Sequence, residues 1–374
     1  MKKLFIITGI FIVLALLATI IFLEKNEEKN EVNTIGIILP LTGNLAFMAE
    51  PEKNGFLLSY EDFKNERPEI AKKIKILFED TQSNPQSAVS AAQKLISQDK
   101  AKILIIANTG PNLAIAPITQ KENVLQIAFC MEPDIQKKHE NVFRLYESAT
   151  QEGNAILDYL NKITEVKSKR IGFLYIDQAN FVKTVEDIII PGLKNEKNKI
   201  FKEKYQLTEI SFRPILTRIK NNKIDVLVLL GYGNEYKVIF DQMIELGLRD
   251  KIEIIGGWGF LYPQVPAKQL DGVRVAGPIF AFSEEELSKT FRENYVKRFS
   301  KEPNFDAAYA YTALNILLSS IHEANSLDLE VIKNKISTKE FDTAVGKITI
   351  INRELIVDMG IGEYVNAKIK LINH

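Results

Sequence analysis

The sequence predicts an α/β protein of two lobes, and three observations lead there. Short β-branched runs alternate with helical patterns from Thr34 onward. The same alternation starts again after Arg144. Late in the chain two long helical patterns follow one another with no strand between them, so they must pack on a sheet laid down earlier. The length of 374 residues agrees with two cores, at about 150 residues per domain. With 46% hydrophobic and 26% charged residues the chain can bury those cores, which excludes a wholly disordered protein.

The elements follow in order. Residues 34–39 read as a buried strand, and Phe56, Leu57, Tyr60 and Phe63 then recur at helical spacing. Residues 74–78 form the next strand, after which Pro85 opens a helix with Ala88, Val89, Ala92, Leu95 and Ile96 on one face. Strands at 103–106 and 125–128 bracket a helix that begins near Pro111. Strand and helix in strict alternation build a parallel sheet with right-handed crossovers. The second run predicts a helix at 151–163, a strand at 170–176, a helix at 181–193, a strand at 225–230, a helix at 235–246 and a strand at 252–255. Helices at 284–299 and 306–324 come next, and strands at 346–350, 355–359 and 364–372 finish the chain. Crossings between lobes are expected at 144–150, 275–282 and 326–339. One lobe then comprises 34–146 with 277–326, the other 147–276 with 339–374.

Ahead of the lobes, Met1-Lys2-Lys3 precedes 20 uncharged residues from Leu4 to Leu23, roughly 30 Å of helix at about 1.5 Å per residue. A cleaved signal has a shorter apolar region, of about 7–15 residues, and a small-residue exit. Residues 1–23 therefore read as an uncleaved transmembrane anchor, with the lysines inside and the rest of the chain extracytoplasmic. A cleaved signal peptide is the alternative. Residues 24–33 are a polar tether.

Composition also excludes several functions. Lys+Arg and Asp+Glu both number 48, so no excess of positive charge supports a nucleic-acid partner. One cysteine, Cys130, and three histidines, His139, His322 and His374, make neither a disulfide framework nor a Cys/His zinc site. No cofactor or metal is expected. The chain has no G-x-S-x-G, P-loop, H-E-x-x-H or G-x-G-x-x-G motif. Adjacent Glu79 and Asp80 point to opposite faces of a strand end, so they are poorly placed for joint acid/base work. No enzyme is expected.

Four stretches, taken in order, resemble a known family. They are Ile35-Gly36-Ile37-Ile38-Leu39-Pro40-Leu41-Thr42-Gly43, Glu79-Asp80-Thr81-Gln82-Ser83-Asn84-Pro85, Val124-Leu125-Gln126-Ile127, and Asp225-Val226-Leu227-Val228-Leu229-Leu230-Gly231-Tyr232 with Ile255-Gly256-Gly257 beyond it. From about residue 34 to the end the chain is similar to the type I periplasmic binding proteins, in particular the leucine/isoleucine/valine-binding receptors of ABC transporters. The resemblance implies two Rossmann-like lobes joined by a three-strand hinge, closing on a small molecule that is handed to a permease.

It also implies where a ligand would touch. Thr109 and Gly110 stand at a strand end where backbone N–H groups are available to a carboxylate, though the family has a serine about where Gly110 stands. Cys130 and Glu132 follow the next strand, and Glu132 falls at or beside a family threonine. A carboxylate there repels an acidic ligand unless it points outward. Phe181, or Asn180 in the adjoining register, and Tyr232 come from the second lobe, and Met48 either walls the cleft from the first or packs in its core. Trp258 stands where amino-acid receptors place an acid for the ligand's ammonium, which an indole cannot replace as an ion partner. The expected ligand is therefore amino-acid-like or a more apolar, aromatic small molecule. The alternative is a ligand-free docking module of the cell envelope.

Overall fold

The computed structural model describes residues 33–164, 169–194, 199–233, 235–262, 265–281, 286–337 and 340–373. The expected anchor and the tether up to residue 32 lie outside the described residues, and Asn33 is already part of the first strand. Among the described residues no helix is long and apolar enough to cross a membrane.

The first lobe opens with β1 (Asn33–Leu39), α1 (Ala46–Glu66), β2 (Ile74–Asp80), α2 (Pro85–Ser97), β3 (Ile103–Ala107), α3 (Thr109–Lys121), β4 (Leu125–Phe129) and β5 (Val142–Arg144). The second contains α4 (Ala149–Thr164), β6 (Arg170–Ile176), β7 (Lys199–Tyr205), α5 (Arg213–Asn221), β8 (Val226–Leu230), α6 (Tyr236–Glu245), β9 (Glu253–Gly256) and β10 (Arg274–Pro278). Between β6 and β7 the α-helical turns Ala179–Val182 and Ile190–Gly192 flank a π-helical segment, Lys183–Ile189. Then come α7 (Glu286–Phe299), α8 (Phe305–Ala324), α9 (Leu329–Ser337), β11 (Glu340–Thr343), β12 (Gly346–Ile351), β13 (Glu354–Ile356), β14 (Met359–Val365) and β15 (Lys368–Asn373).

Two sheets result, one ordered β11-β12-β13-β5-β4-β3-β1-β2 and the other β15-β14-β10-β9-β8-β6-β7. Their centres are parallel, and β3, β4 and β8 are buried at every residue, as helix-covered strands must be. Each sheet is mixed rather than parallel throughout, because the late hairpins β11–β12–β13 and β14–β15 add antiparallel edges. Helix α8 is buried along most of its length and packs on α1. A Cβ on Gly55 would lie 2.2 Å from the Ala307 carbonyl oxygen, so the close approach of these helices needs that glycine.

Four readings need correction. The third crossing lies at 357–358, between β13 and β14, not at 326–339, where α9 packs on α8 instead. Residues 340–356 consequently pair in the first sheet, and only β14 and β15 of the 339–374 stretch join the second. The stretch 364–372 is two strands, because Asn366 and Ala367 both take positive φ, 51° and 67°, and reverse the chain. The strand expected at 355–359 is likewise divided: β13 ends at Ile356 and β14 starts at Met359. Strand β7, with Lys199, Lys202 and Lys204 on the sheet edge, and helix α5 had no reading at all. Charge on an edge strand discourages pairing with another chain and hides the apolar period.

Candidate functional site

Both sheets direct strand carboxyl ends at one cavity of about 240 Å³. Thr81 follows β2 and Asn108 to Gly110 follow β3 on the first lobe, while Gln178 and Asn180 follow β6, Leu207 follows β7 and Tyr232 follows β8 on the second. Strand ends of doubly wound sheets are where such folds bind ligands.

On the first lobe a buried amide network builds the turn. The Asn112 side-chain amide donates to the carbonyls of Ile106 (2.6 Å) and Asn108 (2.8 Å). Gln126 donates to Asn112 Oδ1 at 2.9 Å and accepts from the Thr119 hydroxyl at 2.7 Å. Asn108 is thereby held at φ 66°, ψ 151°, a region that residues with a side chain rarely adopt. Its own side chain makes no capping bond, and its Oδ1 is buried without a partner. Helix α3 starts at Thr109, so the N–H groups of Thr109 and Gly110 belong to a first turn with no intrahelical acceptor.

On the second lobe the Tyr232 hydroxyl donates to Gln178 Oε1 at 2.8 Å. Its backbone N–H donates to Glu235 Oε1 (3.1 Å), which also accepts from the Tyr205 hydroxyl at 2.6 Å. Asn180 is 4% exposed and its Oδ1 has no partner. Beneath Tyr232, Trp258 is 3% exposed and sits among Phe181, Tyr232, Tyr262 and, from the first lobe, Phe305, with ring centroids 5.6–6.3 Å away. The Trp258 N–H of the backbone donates to Glu152 Oε1 at 2.9 Å.

Of the eight residues singled out from the sequence, Thr109, Gly110 and Tyr232 line the cavity. Phe181 and Trp258 pack behind it. Met48 belongs to the main core. Cys130 sits in a small apolar cluster with Ala116, Ala128, Ile135 and Val142, where burial pushes its thiol up to about 12. Glu132 does not point outward: it is buried and paired at 3.4 Å with Lys183 of the other lobe, which also pairs with Asp134.

Sequence reasoning placed Asn108 only in the strand-end turn with Thr109 and Gly110, without a role for its side chain, missed Gln178, and placed Asn180 only as an alternative register. It also missed a set of buried acids beside the cleft. Burial raises Glu147 to about 8 and Glu152 and Asp306 to about 7, and raises Glu52 well above its ordinary value. Asp306, on α8, accepts from the Tyr146 hydroxyl (2.7 Å) and from Tyr262, which joins the two lobes; Glu147 accepts from Tyr309 at 3.0 Å. Nothing in the local pattern marks these acids as buried. Among the described residues no group of three or more His, Cys, Asp or Glu is placed to hold a metal ion.

A larger cavity, about 830 Å³, runs along α7 past Phe280, Phe291 and Arg292. None of the eight residues lines it, and it draws on helix side chains of both charges rather than on the strand ends of both sheets.

Two α/β lobes with a cavity between opposing strand ends define a two-lobe binding protein. Residues 33–368 match the family described as periplasmic binding protein, and the chain belongs to that family, one of solute-binding proteins rather than enzymes. It is similar to Leu/Ile/Val-binding protein homolog 3 of Brucella melitensis biotype 1, at 23% identity over 325 residues, covering 84% of this chain and 86% of that one. It is also similar to the Leu/Ile/Val-binding protein of Escherichia coli K12, at 22% identity, covering 90% and 91%. Among solved structures, the branched-chain amino acid transporter substrate binding protein of Streptococcus pneumoniae in complex with isoleucine superposes with a TM-score of 0.80 at 20% identity, covering 92% and 100%. A solute binding protein of an ABC transporter from Rhodopseudomonas palustris BisB5, in complex with 3,4-dihydroxybenzoic acid, gives 0.82 at 21% identity, covering 91% and 96%.

Proposed function

We propose that this chain is an extracytoplasmic solute receptor that captures a small molecule between its lobes by hinge closure and delivers it to an ABC-type permease. The observation that carries this reading is the cavity at the carboxyl ends of strands from both sheets, walled by Thr109 and Gly110 on one side and Asn180 and Tyr232 on the other. Contacts from lobe to lobe, Lys183 with Glu132 and Asp134 and Tyr262 with Asp306, are of the kind that hold such a cleft closed. The ligand is amino-acid-like or a more apolar, aromatic small molecule. The similar proteins support both, one holding isoleucine and another a hydroxylated benzoic acid.

The proposed lobes are 34–146 with 277–326 and 147–276, except that 277–278 end β10 and pair within the second sheet, and the last strands divide as the sheets divide. Residues 1–23 are proposed as a membrane anchor that keeps the receptor beside its permease. A second reading, a ligand-free docking module, is favoured by one observation: Trp258 packs with four aromatic neighbours drawn from both lobes, and of these five rings only Tyr232 lines the cavity.

Thermal unfolding of residues 25–374 against amino acids, amides, aromatic acids and nucleobases separates the two. A ligand at about 100 times its Kd adds about 2.7 kcal/mol to the folded state. An upward shift by one chemical class supports the receptor. An unchanged midpoint across the library supports the docking module.

A further inference from the structure

We infer that the solute held in this cleft carries no ammonium group, so that the receptor selects a neutral or carboxylate-bearing small molecule over the α-amino acid of the same skeleton. The inference rests on the receptor reading above and names its substrate class.

The cavity is the first ground. Among the described residues that line it, none bears a charge: its polar groups are the amides of Asn108, Gln178 and Asn180 and the hydroxyls of Thr81, Ser83, Thr109 and Tyr232. Three of the hydroxyls are already engaged, that of Thr81 as acceptor from the Ser83 backbone N–H at 3.1 Å. Ser83 donates to the Thr42 carbonyl at 2.8 Å, and Tyr232 donates to Gln178 at 2.8 Å. The unpartnered Oδ1 atoms of Asn108 and Asn180 suit a neutral N–H or O–H donor, and either amide can turn to present its own N–H to an acceptor. A cation enclosed here would lose its hydration without a counter-charge, the costliest kind of polar burial.

The second ground is the fate of the nearby acids. Glu235 accepts from the Tyr232 backbone N–H and the Tyr205 hydroxyl. Glu132 is paired with Lys183. Glu152 accepts from the backbone of Trp258, Glu147 from Tyr309, and Asp306 from Tyr146 and Tyr262. None of these five lines the cavity. Trp258 and its neighbours pack beside Glu152, whose second oxygen is buried without a partner. The raised affinity of Glu147 and Glu152 for protons, to about 8 and about 7, further weakens them as partners for a cation near neutral pH.

Matched compounds test the inference on the intact exported chain. Leucine, 4-methylpentanoate and 4-methylpentanamide form one set; phenylalanine, 3-phenylpropanoate and 3-phenylpropanamide form the other. Calorimetric titration is expected to find that an amine-free member binds at least tenfold more tightly than the amino acid of its set. Asn180→Asp places a carboxylate in the cavity and is expected to reverse that preference. Asn108→Asp serves where the first variant fails to fold, and Glu152→Gln is expected to leave the preference unchanged. Tighter binding of leucine or phenylalanine, or its loss in Glu152→Gln, overturns the inference while leaving the receptor reading intact. If none of these compounds and no member of the wider library binds, the receptor reading itself is overturned.

Discussion

At the scale of single residues, Trp258 shows how one side chain serves both packing and site. Its ring is enclosed by Phe181, Tyr232, Tyr262 and Phe305, and its backbone is pinned by Glu152. Truncating a buried aromatic costs about 3–5 kcal/mol, so Trp258→Ala is expected to lower urea stability by that amount. Glu152→Gln keeps an oxygen for the Trp258 N–H, whereas Glu152→Ala loses the bond and leaves a void. Alanine should therefore cost about 1–3 kcal/mol more than glutamine in the same titration. Equal costs would show that the bond to Trp258 contributes nothing. Trp258 was singled out through the family resemblance as a position that would touch a ligand, whereas here it is buried and absent from the cavity lining. Its neighbours were not legible, since Phe305 is distant in sequence and reaches it from the other lobe.

At the scale of elements, periodicity located most strands and helices because each pattern is local. The strand at 170–176 and the helix opened by Pro85 match their expected positions. The hairpins were read less well, and for a physical reason. Asn366-Ala367 and Asn352-Arg353 both turn the chain through positive φ without glycine, the residue that ordinarily signals such turns. Ala367 at φ 67° bears the steric cost that glycine avoids. Ala367→Gly is accordingly expected to raise stability by about 0.5 kcal/mol, the left-handed penalty exceeding the extra chain entropy of glycine. Urea unfolding reads this directly, and a loss of stability would mean that the turn is relaxed with alanine.

At the scale of the whole molecule, acids buried where the lobes meet make stability depend on pH. Glu147 is raised from 4.5 to about 8, Glu152 from 4.5 to about 7, and Asp306 from 3.8 to about 7, each chiefly by burial. The folded state therefore keeps protons that the unfolded chain releases from about pH 4 upward. Their contribution is fully present below the unfolded values and is lost as pH rises through the folded ones. Asp134 acts in the opposite sense: hydrogen bonds from Lys183 and Lys137 lower it to about 2, so its contribution is lost only in acid. The melting temperature is expected to fall between about pH 5 and pH 8.5, and Glu147→Gln should flatten that slope. A slope unaltered by the substitution would remove Glu147 from the account.

The sequence by itself determined the α/β class, the two lobes and the family resemblance, because alternating strands and helices and short strand-end motifs are encoded by neighbouring residues. Tertiary structure alone decided where the third crossing runs, that Glu132 is paired with Lys183 rather than turned outward, and that Asn108 and Asn180 share one uncharged cavity. Those outcomes depend on groups far apart in the chain: Glu132 and Lys183, 51 positions apart, carry no local signal of their pairing. Burial and charge compensation, which set the chemistry of the cleft, exist only once both lobes are in place.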